Sequence, residues 1–129
     1  MIHFTKVRWK NFLSTGNLFT EITLNGFNNI VSQITSAGSI VTLYSQPTSS
    51  YNNIWFDYGI NDGISNARGG TIMACWFNGS LSYTEHTTKD IGNTRDVLLS
   101  VALNGNNIEL QALTSLANNW NVKALVRYL

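Results

Sequence analysis

Arg68-Gly69-Gly70-Thr71-Ile72-Met73-Ala74-Cys75-Trp76-Phe77-Asn78-Gly79-Ser80 is the stretch whose reading decides the fold. From Thr71 to Phe77 almost every side chain is apolar. The run is too short for a typical helix and is flanked by glycine, so it reads as a strand. Strand alternation sends Thr71, Met73, Cys75 and Phe77 to one face and Ile72, Ala74 and Trp76 to the other. Both faces are apolar, which predicts a strand covered on both sides, the second face meeting another sheet or another subunit. Asn78-Gly79 closes the strand, because both residues tolerate the positive φ of a two-residue hairpin turn.

Outward from this strand the chain repeats one pattern. Short apolar alternations run over Ile40 to Tyr44, Ile54 to Tyr58, Leu81 to Glu85, Val97 to Leu103, Ile108 to Ala112 and Trp120 to Tyr128. Turn residues punctuate them: Gln46-Pro47-Thr48-Ser49-Ser50, Asn61-Asp62-Gly63 and Asn104-Gly105. Thr87 to Thr94 is polar and irregular. At the start, Met1 to Leu24 reads as a long hairpin turned at Ser14-Thr15-Gly16-Asn17. No helical stripe competes. The expected fold is an all-β, antiparallel sandwich, jelly-roll-like, over residues 27–129, with an N-terminal β-hairpin segment over residues 1–26.

Composition narrows the function classes. The chain has 129 residues, 43% hydrophobic, enough for one buried core. Only 12% of residues are charged, about half the usual share, and Asn, Ser and Thr supply the polar surface. Uncharged polar surfaces of this kind are common on extracellular and virion β-proteins. A net charge of +1 provides no general field for nucleic acid or acidic lipid. The single cysteine, Cys75, excludes an intrachain disulfide and reads as a buried thiol. No apolar run approaches the ~20 residues of a membrane-spanning helix. The N-terminus lacks a signal-peptide core.

Candidate chemistry is sparse. His3 and His86 have no partners at ligand spacing, and Asp57, Asp62, Asp90 and Asp96 sit near turns, where carboxylates usually bind backbone amides. Glu85 with Glu109 or Asp57 could form an acid–base pair for sugar cleavage, though nothing in the sequence marks their separation. Asn78-Gly79-Ser80 matches a glycosylation sequon already explained as a turn. Arg68, entering the core strand beside two glycines, is expected to form a structural ion pair with Asp57 or Asp96. Lys6, Arg8 and Lys10 flank Trp9, a combination that could track a single-stranded nucleic-acid backbone on a small barrel. Low net charge opposes that alternative. No catalytic, cofactor or metal residues are assigned.

Two resemblances add to this. Val7-Arg8-Trp9-Lys10-Asn11-Phe12-Leu13-Ser14-Thr15-Gly16-Asn17 with Phe19-Thr20-Glu21-Ile22 resembles the first hairpin of phage recombination ATPases of the SMC/Rad50 class. That family continues into a phosphate loop. Here Ile30 to Ser39 lacks the Gly-x-x-x-x-Gly-Lys-Ser/Thr pattern, so none of the family's activity carries over. From about Asn28 onward, Pro47-Thr48-Ser49-Ser50-Tyr51, Phe56-Asp57-Tyr58, Asn66-Ala67-Arg68-Gly69-Gly70-Thr71-Ile72-Met73-Ala74, Ser82-Tyr83-Thr84-Glu85, Thr88-Lys89-Asp90-Ile91-Gly92 and Trp120-Asn121-Val122-Lys123 are similar to a β-domain at the ends of marine tailed-phage structural proteins. Together they look like a phage-derived mosaic joined at about Gly26. The second resemblance implies a virion component, made in the bacterial cytoplasm and placed in a tail or appendage.

The expected protein is therefore a non-enzymatic structural or adhesion module. It would self-associate, as a trimer, through apolar strand faces carrying Ile72, Trp76, Leu125 and Leu129. Other virion proteins and a host surface glycan are the expected partners. Membrane is not, and nucleic acid belongs only to the alternative that uses Lys6, Arg8, Trp9 and Lys10.

Overall fold

The computed structural model describes residues 6–10, 19–23, 27–35, 37–115 and 119–129. Among them are ten strands and no helix: β1 (Lys6–Lys10), β2 (Phe19–Thr23), β3 (Phe27–Ile34), β4 (Ile40–Pro47), β5 (Asn53–Asn61), β6 (Ala67–Phe77), β7 (Ser80–Thr87), β8 (Val97–Asn104), β9 (Asn107–Thr114) and β10 (Trp120–Tyr128). β1 and β2 pair antiparallel, Lys6 opposite Thr23, as a hairpin requires. The rest form a five-stranded sheet, order β3-β10-β5-β6-β7, and a three-stranded sheet, order β4-β9-β8. All pairings are antiparallel. The inner faces of both sheets feed one core, as in a sandwich.

Period-two alternation builds that core. On β5, Ile54, Phe56, Tyr58 and Ile60 point inward; on β10, Trp120, Val122, Ala124 and Val126 do; on β8 and β9, Val97, Leu99, Val101, Ile108, Leu110 and Ala112 do. Trp120 is fully buried, and its indole N–H donates to Asp96 at 3.1 Å, so its polar edge is satisfied. Burying a ring of this size contributes roughly 2–3 kcal/mol.

The turns follow local chemistry. Asn78 and Gly79 both have positive φ, 49° and 77°, the pair a type I′ turn demands. At the second hairpin the tip is one residue later than the sequence suggests. Asn104 pairs with Asn107, leaving Gly105 at φ 59° and Asn106 as the loop. Pro47 ends β4, an edge strand, where a missing N–H costs no central ladder bond.

Several expectations are corrected. Phe27–Ile34, not assigned as a strand from its sequence, pairs along its length with β10. Thr71 to Phe77 is covered on one face only. Ile72, Ala74 and Trp76 are buried, while Met73 is 47% and Phe77 71% exposed. The physical reason is that, among the described residues, the five-stranded sheet has one partner layer, so only one set of alternating residues reaches it. Cys75 shares the outward set and is exposed, not buried. The outer pairings β3–β10 and β4–β9 are those of a jelly roll. β5, β6 and β7 then run as a meander within one sheet, where a jelly roll would cross between sheets.

Candidate binding face and groove

Alternation and register together lay out the outward face of the five-stranded sheet. Arg127, Trp55, Met73 and Thr84 form one row across β10, β5, β6 and β7. Leu125, Asp57, Thr71 and His86 form the next. Lys123, Gly59 and Gly69 form a third, which ends on Thr88 through two hydrogen bonds: Gly69 N donates to Thr88 Oγ1 at 3.1 Å, and Thr88 N to Gly69 O at 2.9 Å.

The first two rows hold a polar cluster on an aromatic ring. The Arg127 guanidinium lies 5.6 Å from the centroid of Trp55 and 3.2 Å from Asp57. Thr71 Oγ1 donates to the other Asp57 oxygen at 2.9 Å. The ion pair is largely exposed, so it orients these groups more than it stabilises the fold.

The third row floors an open groove of about 540 Å³, walled by Lys123, Asn61, Thr88, Lys89 and Ile91. Its far wall is a loop held by an interior network around Arg68. Arg68 Nε donates to the Tyr58 hydroxyl at 3.1 Å, Nη1 to Thr94 O and Oγ1 at 3.2 and 2.9 Å, and Nη2 to Val97 O at 3.2 Å. Glu85 lies 3.8 Å from Arg68 and accepts the Tyr58 hydroxyl proton in a hydrogen bond. Burial, then the bond to Glu85, pushes the Tyr58 hydroxyl up to about 12, against the opposing pull of Arg68. Asp90 receives Thr94 Oγ1 and N at 2.7 and 3.0 Å, which holds its carboxyl below the usual range. Asp62 accepts the backbone N–H groups of Asn66, Ile64 and Ser65, and its carboxyl is strongly depressed. Asn66 in turn accepts from Asn93 N at 2.8 Å, tying the β5–β6 loop to the loop before β8.

The adjacent glycines have different causes. A Cβ on Gly70 would lie 2.7 Å from the Tyr58 ring and 2.8 Å from His86 O, so the ring fills the side-chain space. A Cβ on Gly59 would meet nothing within 4 Å.

The sequence-derived candidates are distributed as follows. Arg68 pairs with Tyr58, Thr94, Val97 and Glu85, not with Asp57 or Asp96, because its side chain enters the sandwich while Asp57 faces outward. Asp96 instead holds Trp120 and Ser115. Glu85, Asp57 and Glu109 are not brought together. Asp57 lies on the outer face of β5, Glu85 meets Tyr58, and Glu109 is on the other sheet, hydrogen-bonded to Asn104 and Gln111. Ile72 and Trp76 face the core of their own chain, correcting their expected place on an outer face. Leu125 is half-buried and Leu129 is 72% exposed. Lys6, Arg8, Trp9 and Lys10 lie on β1, and their side chains, like His3, are outside the described residues. Among the described residues no group of three His, Cys, Asp or Glu side chains is placed to hold a metal. The Trp55–Arg127–Asp57 cluster and the glycine-floored groove escaped sequence reasoning. The available signal was Gly59 inside an apolar alternation.

No family model matches the chain, and no curated protein matches it. Solved structures do. The Acinetobacter phage vB_ApiP_P1 tailspike protein aligns over 94% of this chain with a TM-score of 0.51 at 11% identity. The gp49 tailspike of Acinetobacter baumannii bacteriophage Fri1, a capsular polysaccharide depolymerase, aligns over 97% with a TM-score of 0.46 at 12% identity. The chain spans 25% and 21% of the lengths of those proteins. One expectation is corrected by this comparison. The sequence places the chain outside enzymes, whereas a structure it resembles is a depolymerase. The first alignment shows that this sandwich shares its fold with a part of a phage tailspike protein.

Proposed function

We propose that this chain is a β-sandwich domain of a phage tail appendage of the tailspike kind, carried on the virion, where it contacts host surface polysaccharide. The observation that supports this best is the likeness to the vB_ApiP_P1 tailspike across 94% of the chain. The surface agrees with it. Few charges are present, and the outer sheet face combines a half-buried Trp55 with Arg127, Asp57 and Thr71, groups able to stack on a sugar ring and bond its hydroxyls. On this reading residues 1–26 are a separate hairpin segment ahead of the sandwich. Self-association, as a trimer, uses the apolar end of the outer face: Met73, Cys75, Phe77 and Leu129, with half-buried Leu125 nearby. Of the expected apolar contacts, Leu125 and Leu129 stay on this surface, and Ile72 and Trp76 leave it.

Two measurements on the purified chain test the proposal. Light scattering is expected to give a trimer, and capsular polysaccharide immobilised from susceptible bacteria is expected to retain the chain. A strictly monomeric chain that no surface polysaccharide retains overturns the proposal. Retention by single-stranded nucleic acid alone, with steep salt dependence, would support the nucleic-acid alternative instead.

A further inference from the structure

We infer that the groove floored by Gly59 and Gly69 is a saccharide subsite that takes a carboxylate-bearing sugar unit, with Lys89 and Lys123 as its cationic walls. This deepens the polysaccharide-contact reading above and rests on it.

The first observation is a glycine without an internal cause. Glycine weakens a strand and, inside a sheet, marks either a special backbone conformation or the close approach of another group. Gly59 sits in the middle of the five-stranded sheet, paired on one side with Lys123 and on the other with Gly69. Its φ is not among the positive values of this chain, and a Cβ there would meet nothing within 4 Å. The fold itself therefore does not require glycine at this position. Gly70 is the contrast, since Tyr58 already occupies its side-chain space. Gly69 has only ordinary contacts at 3.7 Å, with Thr88 and Tyr58 O. What glycine supplies at positions 59 and 69 is a bare strip of backbone at the bottom of the groove, open to something from outside.

The second observation is charge. The chain has only eight Lys and Arg residues, and three of them, Arg68, Lys89 and Lys123, line this groove. Arg68 is turned inward and engaged by Tyr58, Thr94, Val97 and Glu85. Lys89 and Lys123 are exposed and make no ion pair among the described residues. Asp90 and Asp62 stay ionised nearby but are bonded into their own loops, Asp90 to Thr94 and Asp62 to its own turn, and neither lines the groove. The lining itself therefore presents two exposed lysines and no carboxylate to an anion.

The third observation is the character of the remaining wall. Asn61 and Thr88 offer amide and hydroxyl groups, and Ile91, 69% exposed, offers an apolar surface. A cationic pair, neutral hydrogen-bonding groups and one apolar side chain match a uronate, which has a carboxylate, hydroxyls and a C–H face. The loop carrying Lys89 and Ile91 is fixed by Asp90–Thr94, Asn66–Asn93 and the Ala67–Ile91 bridge, so the wall is preorganised.

The test uses the whole chain, 15N-labelled, titrated at low salt with a hexagalacturonate. A neutral gluco-oligosaccharide of equal length and a short single-stranded oligonucleotide serve as comparisons. The acidic sugar is expected to move the amide signals of Gly59, Asn61, Gly69, Thr88, Lys89 and Lys123, and the neutral sugar is not. Lys89→Gln and Lys123→Gln are each expected to weaken binding about tenfold, the loss of one charge-assisted hydrogen bond. Gly59→Leu, which fills the floor, is expected to abolish binding with a dispersed amide spectrum retained. If Gly59→Leu fails to fold, the double Lys-to-Gln variant decides the matter. The inference is overturned if the neutral sugar or the oligonucleotide perturbs the groove equally, if the shifts fall elsewhere, or if the variants bind as tightly as the parent. Saccharide bound elsewhere on the chain sinks the groove and leaves the polysaccharide-contact reading standing. Failure to bind the hexagalacturonate also sinks the groove, and the appendage reading then rests on the oligomeric state and on retention by capsular polysaccharide.

Discussion

Replacing Trp76 by alanine separates a core residue from an interface residue, because the two roles give opposite results. Trp76 is 6% exposed on the inward face of β6, and its indole N–H donates to Thr48 O at 3.2 Å. The substitution removes most of a buried ring and leaves that carbonyl without its side-chain donor. Large-to-small changes of this kind cost about 3–5 kcal/mol, the transfer loss plus the cavity left behind. A domain of this size has a total stability of about 5–15 kcal/mol, so the loss is a large share of the whole. With a urea dependence of roughly 1–3 kcal/mol per molar, the unfolding midpoint should fall by about 1–5 M. Far-ultraviolet circular dichroism followed across a urea titration reads this directly. Leu98→Ser is the internal control. Leu98 lies on β8, away from the proposed interface, and is 61% exposed, so its loss should change stability by no more than about 0.5 kcal/mol. If Trp76→Ala keeps the parent midpoint while converting an oligomer to monomer, the inward assignment of Ile72, Ala74 and Trp76 is wrong.

Other expectations follow from single contacts. Gly70→Ala should destabilise by about 1–3 kcal/mol in the same titration, because the new methyl meets the Tyr58 ring and a backbone carbonyl. Gly59→Ala should leave stability unchanged or raise it by about 0.4–1 kcal/mol, because its methyl meets nothing and the unfolded chain loses freedom. The Tyr58 hydroxyl, pushed up to about 12 in the folded chain, should give an alkaline limb: its contribution is complete below pH ~10, the unfolded value, and is lost as pH rises toward 12. Urea midpoints across that range should fall for the parent, with the slope reduced in Tyr58→Phe. Asp90, depressed in the folded chain by Thr94, should act in the opposite direction. Its contribution is complete above the usual aspartate range and is lost as pH falls through the folded value, and Asp90→Asn should flatten that acid limb.

The β6–β7 hairpin was legible because Asn78-Gly79 states its φ requirement locally, and Asn104-Gly105 marked the β8–β9 turn to within one residue. The sandwich was legible because Val97–Leu103 and Trp120–Tyr128 alternate cleanly. The central stretch misled because Met73, Cys75 and Phe77 are as apolar as Ile72 and Trp76. Hydrophobicity alone cannot choose between two apolar faces, and the choice falls to the single facing sheet. β3 was hidden because Ser32, opposite Val122 on β10, stands on the side that Ile30 and Ile34 share and interrupts its apolar face. The partners of Arg68 were unreadable because four of its acceptors are main-chain carbonyls or hydroxyls, which carry no charge signature. The groove draws Gly59, Gly69 and Lys123 from separate strands that only register brings to one row, and adds Lys89 from the loop after β7.

The position of β10 has a kinetic consequence. It follows every other described strand in the chain, yet it lies inside the large sheet, between β3 and β5. Its pairing with β3 joins Trp120 to Ile34 and Arg127 to Phe27, closing a loop that contains nearly the whole sandwich. During synthesis the β5–β6–β7 meander can zip locally, but the exposed flank of β5 must wait for β10. Contacts so distant in sequence slow folding, into the millisecond-to-second range typical of β-sandwiches. Until β10 arrives, β5 presents an unpaired edge with Trp55 on one side and Phe56 on the other, open to pairing with another nascent chain. Assembly into any larger particle would therefore begin only after synthesis of this domain has finished.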